Sequence, residues 1–155
     1  MKILVTGKNG QVGHELMKTL APLGKVVGVD LKECDLSQSA AIDALLERVK
    51  PDIIVNPAAY TEVDKAESEP TIAHAVNAQA PKIFARYAAR HNIPIIHFST
   101  DYVFDGSKAE PYLEDEQANP KSVYGKTKWL GEEAVRKMAA KHIIIRTSWV
   151  FGSHG

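Results

Sequence analysis

Five short apolar runs recur along the chain, at residues 2–6, 25–30, 53–55, 95–98 and 143–145. Runs this short and this continuously apolar predict strands of a parallel sheet covered on both faces. Between them the apolar positions change period. Val12, Leu16 and Leu20 fall on one face of a helix over 11–20, which Pro22 and Gly24 end. Ile42, Leu45, Leu46 and Val49 do the same over 39–49, with Ser37 or Ser39 as a cap. An alanine-rich helical region over 71–90 carries Pro81, which is expected to kink or split it. A polar stretch marked by Gly and Pro over 101–120 leads to a last helix over 122–140.

Strands alternating with helices predict an α/β fold of three layers, a Rossmann-like doubly wound parallel sheet with strand order 3-2-1-4-5. A flavodoxin-like sheet is the alternative, which the glycine spacing described below disfavours. Ligands of such sheets bind beyond the carboxyl ends of the strands, here residues 6–10, 30, 56–60, 99–101 and 147–149.

Composition narrows the function classes. At 155 residues, 45% apolar and 25% charged, the chain is expected to be one domain with a sizeable core. Lys+Arg and Asp+Glu balance at 19 each, so no excess positive charge drives binding to nucleic acid or to an anionic membrane. No run approaches the ~18 apolar residues of a membrane span. The first strand begins at residue 2, leaving no room for a signal peptide, and a lone Cys34 cannot form an internal disulfide; a cytoplasmic setting is expected. Six histidines lack metal-ligand spacing, so no metal site is expected from them.

The first strand ends on Gly7, and Gly10 and Gly13 follow around Gln11 and Val12. Glycines at a strand-to-helix turn let backbone approach a ligand, and the helix N-terminus behind them attracts phosphate. The G-x-x-G-x-x-G spacing is looser than G-x-G-x-x-G. Asp30, 23 residues after Gly7, closes the second strand, where an acid can bond the adenosine ribose; a solvated turn aspartate is the plain alternative. Its charge disfavours a 2′-phosphate and nearby Lys32 softens that, so NADH and NADPH both stay open. Asp35 and Leu36 follow at the expected adenine edge, or serve as a helix cap. Ala58, Ala59 and Tyr60 leave the third strand with side chains small enough for cofactor contact or for packing alone.

Ser99-Thr100-Asp101 after the fourth strand, with Tyr124-Gly125-Lys126-Thr127-Lys128, forms the strongest constellation. Positions i and i+4 share a helix face, so Tyr124 and Lys128 can meet in one site. A neighbouring ammonium is expected to lower the phenol pKa and suit Tyr124 as general acid or base, while Lys128 holds the nicotinamide ribose. Thr100 is placed to bond the carbonyl oxygen. Tyr and Lys at this spacing also occur by chance on surface helices.

These residues resemble the extended short-chain dehydrogenase/reductase superfamily and, within it, the dTDP-4-dehydrorhamnose reductases. The matching stretches are 7–13, 51–56, 63–67, 99–104, 124–128 and 146–150; the Ser-Thr-Asp-Tyr-Val-Phe and Arg-Thr-Ser-Trp runs are the most specific. The resemblance implies reduction by NADPH or NADH of the 4-keto group of a dTDP-sugar, dTDP-4-dehydro-L-rhamnose, to dTDP-L-rhamnose. It implies Thr100, Tyr124 and Lys128 as catalytic residues and Asp101 and Trp149 in the sugar site. Tyr102 stands where sugar-nucleotide dehydratases tend to carry Glu, which favours reduction without elimination. Family members continue into a smaller domain, so a fragment holding the cofactor half, inactive or weakly active, is expected. Some relatives place Mg2+ at a homodimer contact, for which Glu15 is a conceivable ligand and a solvated helix acid the simpler reading. A regulatory subunit like the β subunit of methionine adenosyltransferase, another sugar-nucleotide epimerase or reductase, and a fragment without binding are the alternatives.

Overall fold

The computed structural model of the chain describes residues 1–152 and 154. Lys2–Thr6 (β1) is buried from Ile3 onward and runs through the middle of a parallel sheet. It pairs with Lys25–Val29 (β2) on one side and Ile53–Asn56 (β3) on the other. Ile95–Thr100 (β4) and His142–Thr147 (β5) extend the sheet beyond β3. Successive side chains point to opposite faces, and both are apolar. Leu4, Ile54 and Ile95 pack with the helices Ser39–Val49 (α2), Ala80–His91 (α5) and Val123–Met138 (α6). Ile3, Val5 and Val55 pack with Leu16 and Met17 of Gln11–Thr19 (α1) on the other face. Phe84, fully buried on α5, is the largest core side chain.

The doubly wound, Rossmann-like class is as the sequence predicts. The strand order is not: it runs β2-β1-β3-β4-β5 instead of 3-2-1-4-5. The cause lies between β2 and α2. Asp30 O accepts from the amides of Glu33 and Cys34, and Asp35 O from that of Gln38, so these backbone groups are used in turns and no strand forms beside β2. Helix α2 then carries the chain back across β1, and the third strand pairs there. The order therefore reverses between β1 and β3, the order of a flavodoxin-like sheet, and the crevice opens at their carboxyl ends.

Two helical details bear on the site. Neither Ser37 nor Ser39 caps α2; Gln38 is its N-cap, and its side chain donates to Ser37 Oγ and caps no helix amide. Pro81 lies in the first turn of α5, and the region is interrupted just before it by a wider turn. Pro70–His74 (α4) runs into a π turn, Ala75–Gln79, and on into α5. A proline cannot bond the carbonyl four residues back and its ring crowds it, and the wider turn absorbs both effects. The short helix Val63–Ser68 (α3) precedes α4 and has too little apolar periodicity to be foreseen.

Candidate active site

The first strand turns sharply at Gly7, whose φ of +60° is strained for any residue with a Cβ. Gly13 is tighter still: a Cβ there would lie 1.9 Å from the Gly7 carbonyl oxygen. The two glycines let α1 start against the end of β1. Gly10 is its N-cap, in extended conformation, with no side chain over the first amides. Those amides and the bare glycine backbone form a cradle that fits a pyrophosphate.

The opposite wall is the loop after β3, held close by a row of buried polar side chains. Thr6 Oγ1 donates to Asn56 Oδ1 at 2.6 Å and accepts from the Ala58 amide at 3.3 Å. Asn56 Nδ2 in turn donates to His97 Nδ1 at 3.0 Å, which assigns the His97 proton to Nε2. Burial, with the nearby Lys128 charge, pushes the His97 pKa well below its ordinary value and keeps the ring neutral. The row leaves Ala58 so near the turn that a Cβ on Gly7 would lie 3.0 Å from its Cα. Further out, Asn77 on the π turn accepts from the Tyr60 amide at 2.8 Å and donates to Tyr60 O at 3.0 Å and to Thr127 Oγ1 at 3.2 Å.

Ser122 Oγ accepts from the Gly125 amide and so starts α6 where Tyr124 faces the crevice. Tyr124 is buried and meets Tyr102 edge-on, ring centroids 5.5 Å apart. Burial raises its pKa, Asp101 and Tyr102 add to that, and a hydrogen bond with Thr100 partly offsets it. The expected lowering by an ammonium is therefore not found, because Lys128 points elsewhere: its Nζ donates to Phe98 O at 2.6 Å. Burial brings the Lys128 pKa down to about 8, against an upward pull from Glu132. Thr100 Oγ1 donates to Asp101 Oδ1 at 3.1 Å and accepts from the Tyr102 amide.

A cavity of about 630 Å³ runs over these ends. Gly7, Gly10, Gln11, Val12, Gly13, Asp30, Ala58, Ala59, Thr100, Asp101, Tyr124, Lys128 and Trp149 all line it. Asp35, Leu36 and Tyr60 do not; they line a neighbouring cavity of about 330 Å³, which shares Gly7, Asp30, Ala58 and Ala59 with the first. Asp30 also braces the turn, accepting from the Asn9 and Leu31 amides at 2.9 and 2.8 Å. Sequence reasoning missed Ser148, whose hydroxyl donates to Asp101 Oδ2 at 2.6 Å, and Phe98, which acts through a backbone carbonyl that no pattern reveals. Ser148 stood within the Arg-Thr-Ser-Trp run, the one available signal.

Nothing among the described residues of this chain supports a metal role for Glu15. Its carboxylate accepts from Lys18 at 3.0 Å, and among the described residues no group of three His, Cys, Asp or Glu side chains could hold an ion. Nor is any helix there long and apolar enough to cross a membrane.

The chain is 45% identical to a dTDP-4-dehydrorhamnose reductase of Shigella flexneri, covering 100% of the chain and 53% of that protein. A Clostridium acetobutylicum dTDP-4-dehydrorhamnose reductase structure superposes with a TM-score of 0.94 at 40% identity, over 100% of this chain and 56% of that one. The Bacillus anthracis enzyme, solved in complex with NADP, gives 0.93 at 34% identity over 99% and 55%. The chain thus spans about half the length of the curated relatives it matches. The sequence profile of the RmlD substrate binding domain matches residues 1–155, and the chain belongs to that family.

Proposed function

We propose that this chain is the cofactor-binding and catalytic half of a dTDP-4-dehydrorhamnose reductase, reducing dTDP-4-dehydro-L-rhamnose to dTDP-L-rhamnose for polysaccharide synthesis. One observation carries the reading: Thr100, Tyr124 and Lys128 line the same crevice as the glycine cradle. A reduced nicotinamide, NADPH or NADH, would supply the hydride to the sugar C4. Gly7, Gly10, Gln11, Val12 and Gly13 would hold its pyrophosphate, Asp30 its adenosine ribose, Ala58 and Ala59 the facing wall, and Asp35, Leu36 and Tyr60 the adenine end.

The protein's own chemistry is proton delivery. Reduction places negative charge on the carbonyl oxygen, and the Tyr124 hydroxyl gives its proton to that oxygen. A raised pKa suits this direction, since the phenol enters each cycle protonated at neutral pH. Lys128, charged below about pH 8, bonds the nicotinamide ribose with the protons it does not give to Phe98 O. Thr100 orients the oxygen once its hydroxyl proton turns from Asp101 toward it, and Asp101 and Trp149 line the sugar site. The complex of the Bacillus anthracis relative with NADP supports NADPH as one acceptable cofactor.

The test is NADPH oxidation by the protein that carries this chain, supplied with dTDP-4-dehydro-L-rhamnose. Tyr124→Phe is expected to lower kcat by ~10²-fold or more while changing NADPH affinity less than ~3-fold. Wild-type turnover in that variant would remove Tyr124 as donor.

A further inference from the structure

Behind the catalytic pair lies an ionic cluster that proton donation does not use directly. Glu132 is fully buried on α6, one helical turn past Lys128 and on the same face. Its carboxylate accepts from Arg146 twice, through Nε at 3.0 Å and Nη2 at 2.8 Å, and from Arg136 Nη2 at 2.8 Å. Arg146 belongs to β5, and its guanidinium lies 4.8 Å from the Phe104 ring, in the segment that follows Asp101. One carboxylate therefore joins the catalytic helix, the edge strand and the loop beside the site.

We infer that Glu132 is a positioning residue: its carboxylate, clamped by Arg146 and Arg136, keeps the Lys128 ammonium charged in a pocket that strips it of water. What the Lys128 ammonium needs here is a counter-charge, because its hydrogen bond is to the neutral Phe98 carbonyl. The titratable and charged groups around it are Tyr124 and Glu132 on its own helix, His97 on β4, Asp101 after β4, and Arg146 on β5 behind Glu132. His97 is neutral; Asp101 sits in the loop after β4, bonded by Thr100 and Ser148, and the upward pull on Lys128 comes from Glu132. Glu132 is the anion on Lys128's own helix face. Burial pushes the Glu132 carboxyl up, and Arg146, the Ser99 hydroxyl and Arg136 together more than offset it, so the anion persists.

The inference deepens the reductase reading and rests on it only for what Lys128 does. Its test reads the Lys128 ammonium directly, from the pH dependence of the ¹³Cε resonance in the protein without cofactor. Glu132→Gln removes the anion and leaves two cations, so the Lys128 midpoint is expected to fall by ~1 unit. Arg146→Met breaks the same bridge yet leaves the anion, so the midpoint is expected to rise. A merely structural bridge would move both variants alike. Equal midpoints in Glu132→Gln and wild type, or shifts of one sign in both variants, would overturn the inference. Should Glu132→Gln fail to fold, Arg136→Met, at a partly exposed residue, decides alone: an upward shift supports it, and no shift or a downward one overturns it. NADPH titration of the same samples separates the two claims, since absent binding counts against the reductase reading and leaves the Lys128 shifts standing.

Discussion

Lys128 shows most clearly how a single residue trades stability for chemistry. Its folded pKa of about 8 lies below the ordinary 10.5, so between those values the unfolded chain holds more protons and stability rises with pH. Below pH 8 the whole cost of burying the charge is present. Lys128→Met is therefore expected to stabilise the protein at pH 7 by ~1–3 kcal/mol, less than the full shift implies because Phe98 O loses its donor. The gain should shrink between pH 8 and pH 10.5, as urea denaturation at pH 7 and pH 10 would show. A difference independent of pH would mean that the Lys128 pKa is the same in the folded and the unfolded protein. The identity of this residue was legible in the sequence from its spacing to Tyr124. Its partner was not, because the Phe98 carbonyl is backbone and any residue supplies one.

At the scale of elements, the site depends on how the π turn holds the loop after β3 against α6. Asn77 satisfies both backbone groups of Tyr60 and reaches Thr127, while Gly131 lets α6 approach: a Cβ there would lie 2.3 Å from Asn77 O. Asn77→Ala strands buried polar groups on two elements and is expected to cost ~2–4 kcal/mol, with a weakened cofactor wall. A thermal midpoint unchanged from wild type would contradict this. The helices over 11–19 and 39–49 and the start of the last helix were readable from apolar periodicity and breakers. The π turn was not. Pro81 announced a disturbance, but whether a helix kinks, breaks or widens depends on what packs against it. The strand order was missed for a similar reason: the turns at 30–38 are made by backbone bonds of Asp30 and Asp35, which no hydrophobic pattern encodes.

Over the whole molecule, the sheet brings together at one end what the sequence scatters from Gly7 to Trp149. Short runs located the cavity-lining residues at strand ends, because these sit beside apolar stretches that are easy to find. Their division between two adjoining cavities needed the three-dimensional path of the chain. The central claim is that the reversal between β1 and β3 holds a nicotinamide dinucleotide with its pyrophosphate at the start of α1. Gly10→Asp tests it, because folding and binding should respond oppositely. Gly10 has an extended N-cap conformation open to any residue, and Asp is a better cap than Gly, so the fold should be as stable or slightly more so. The same carboxylate would repel the pyrophosphate. Calorimetric titration with NADPH should show one saturable site in the wild type and affinity lower by ~10²-fold or more in Gly10→Asp, with an undiminished melting temperature. No binding by the wild type, or equal affinity in the two proteins, would contradict the account.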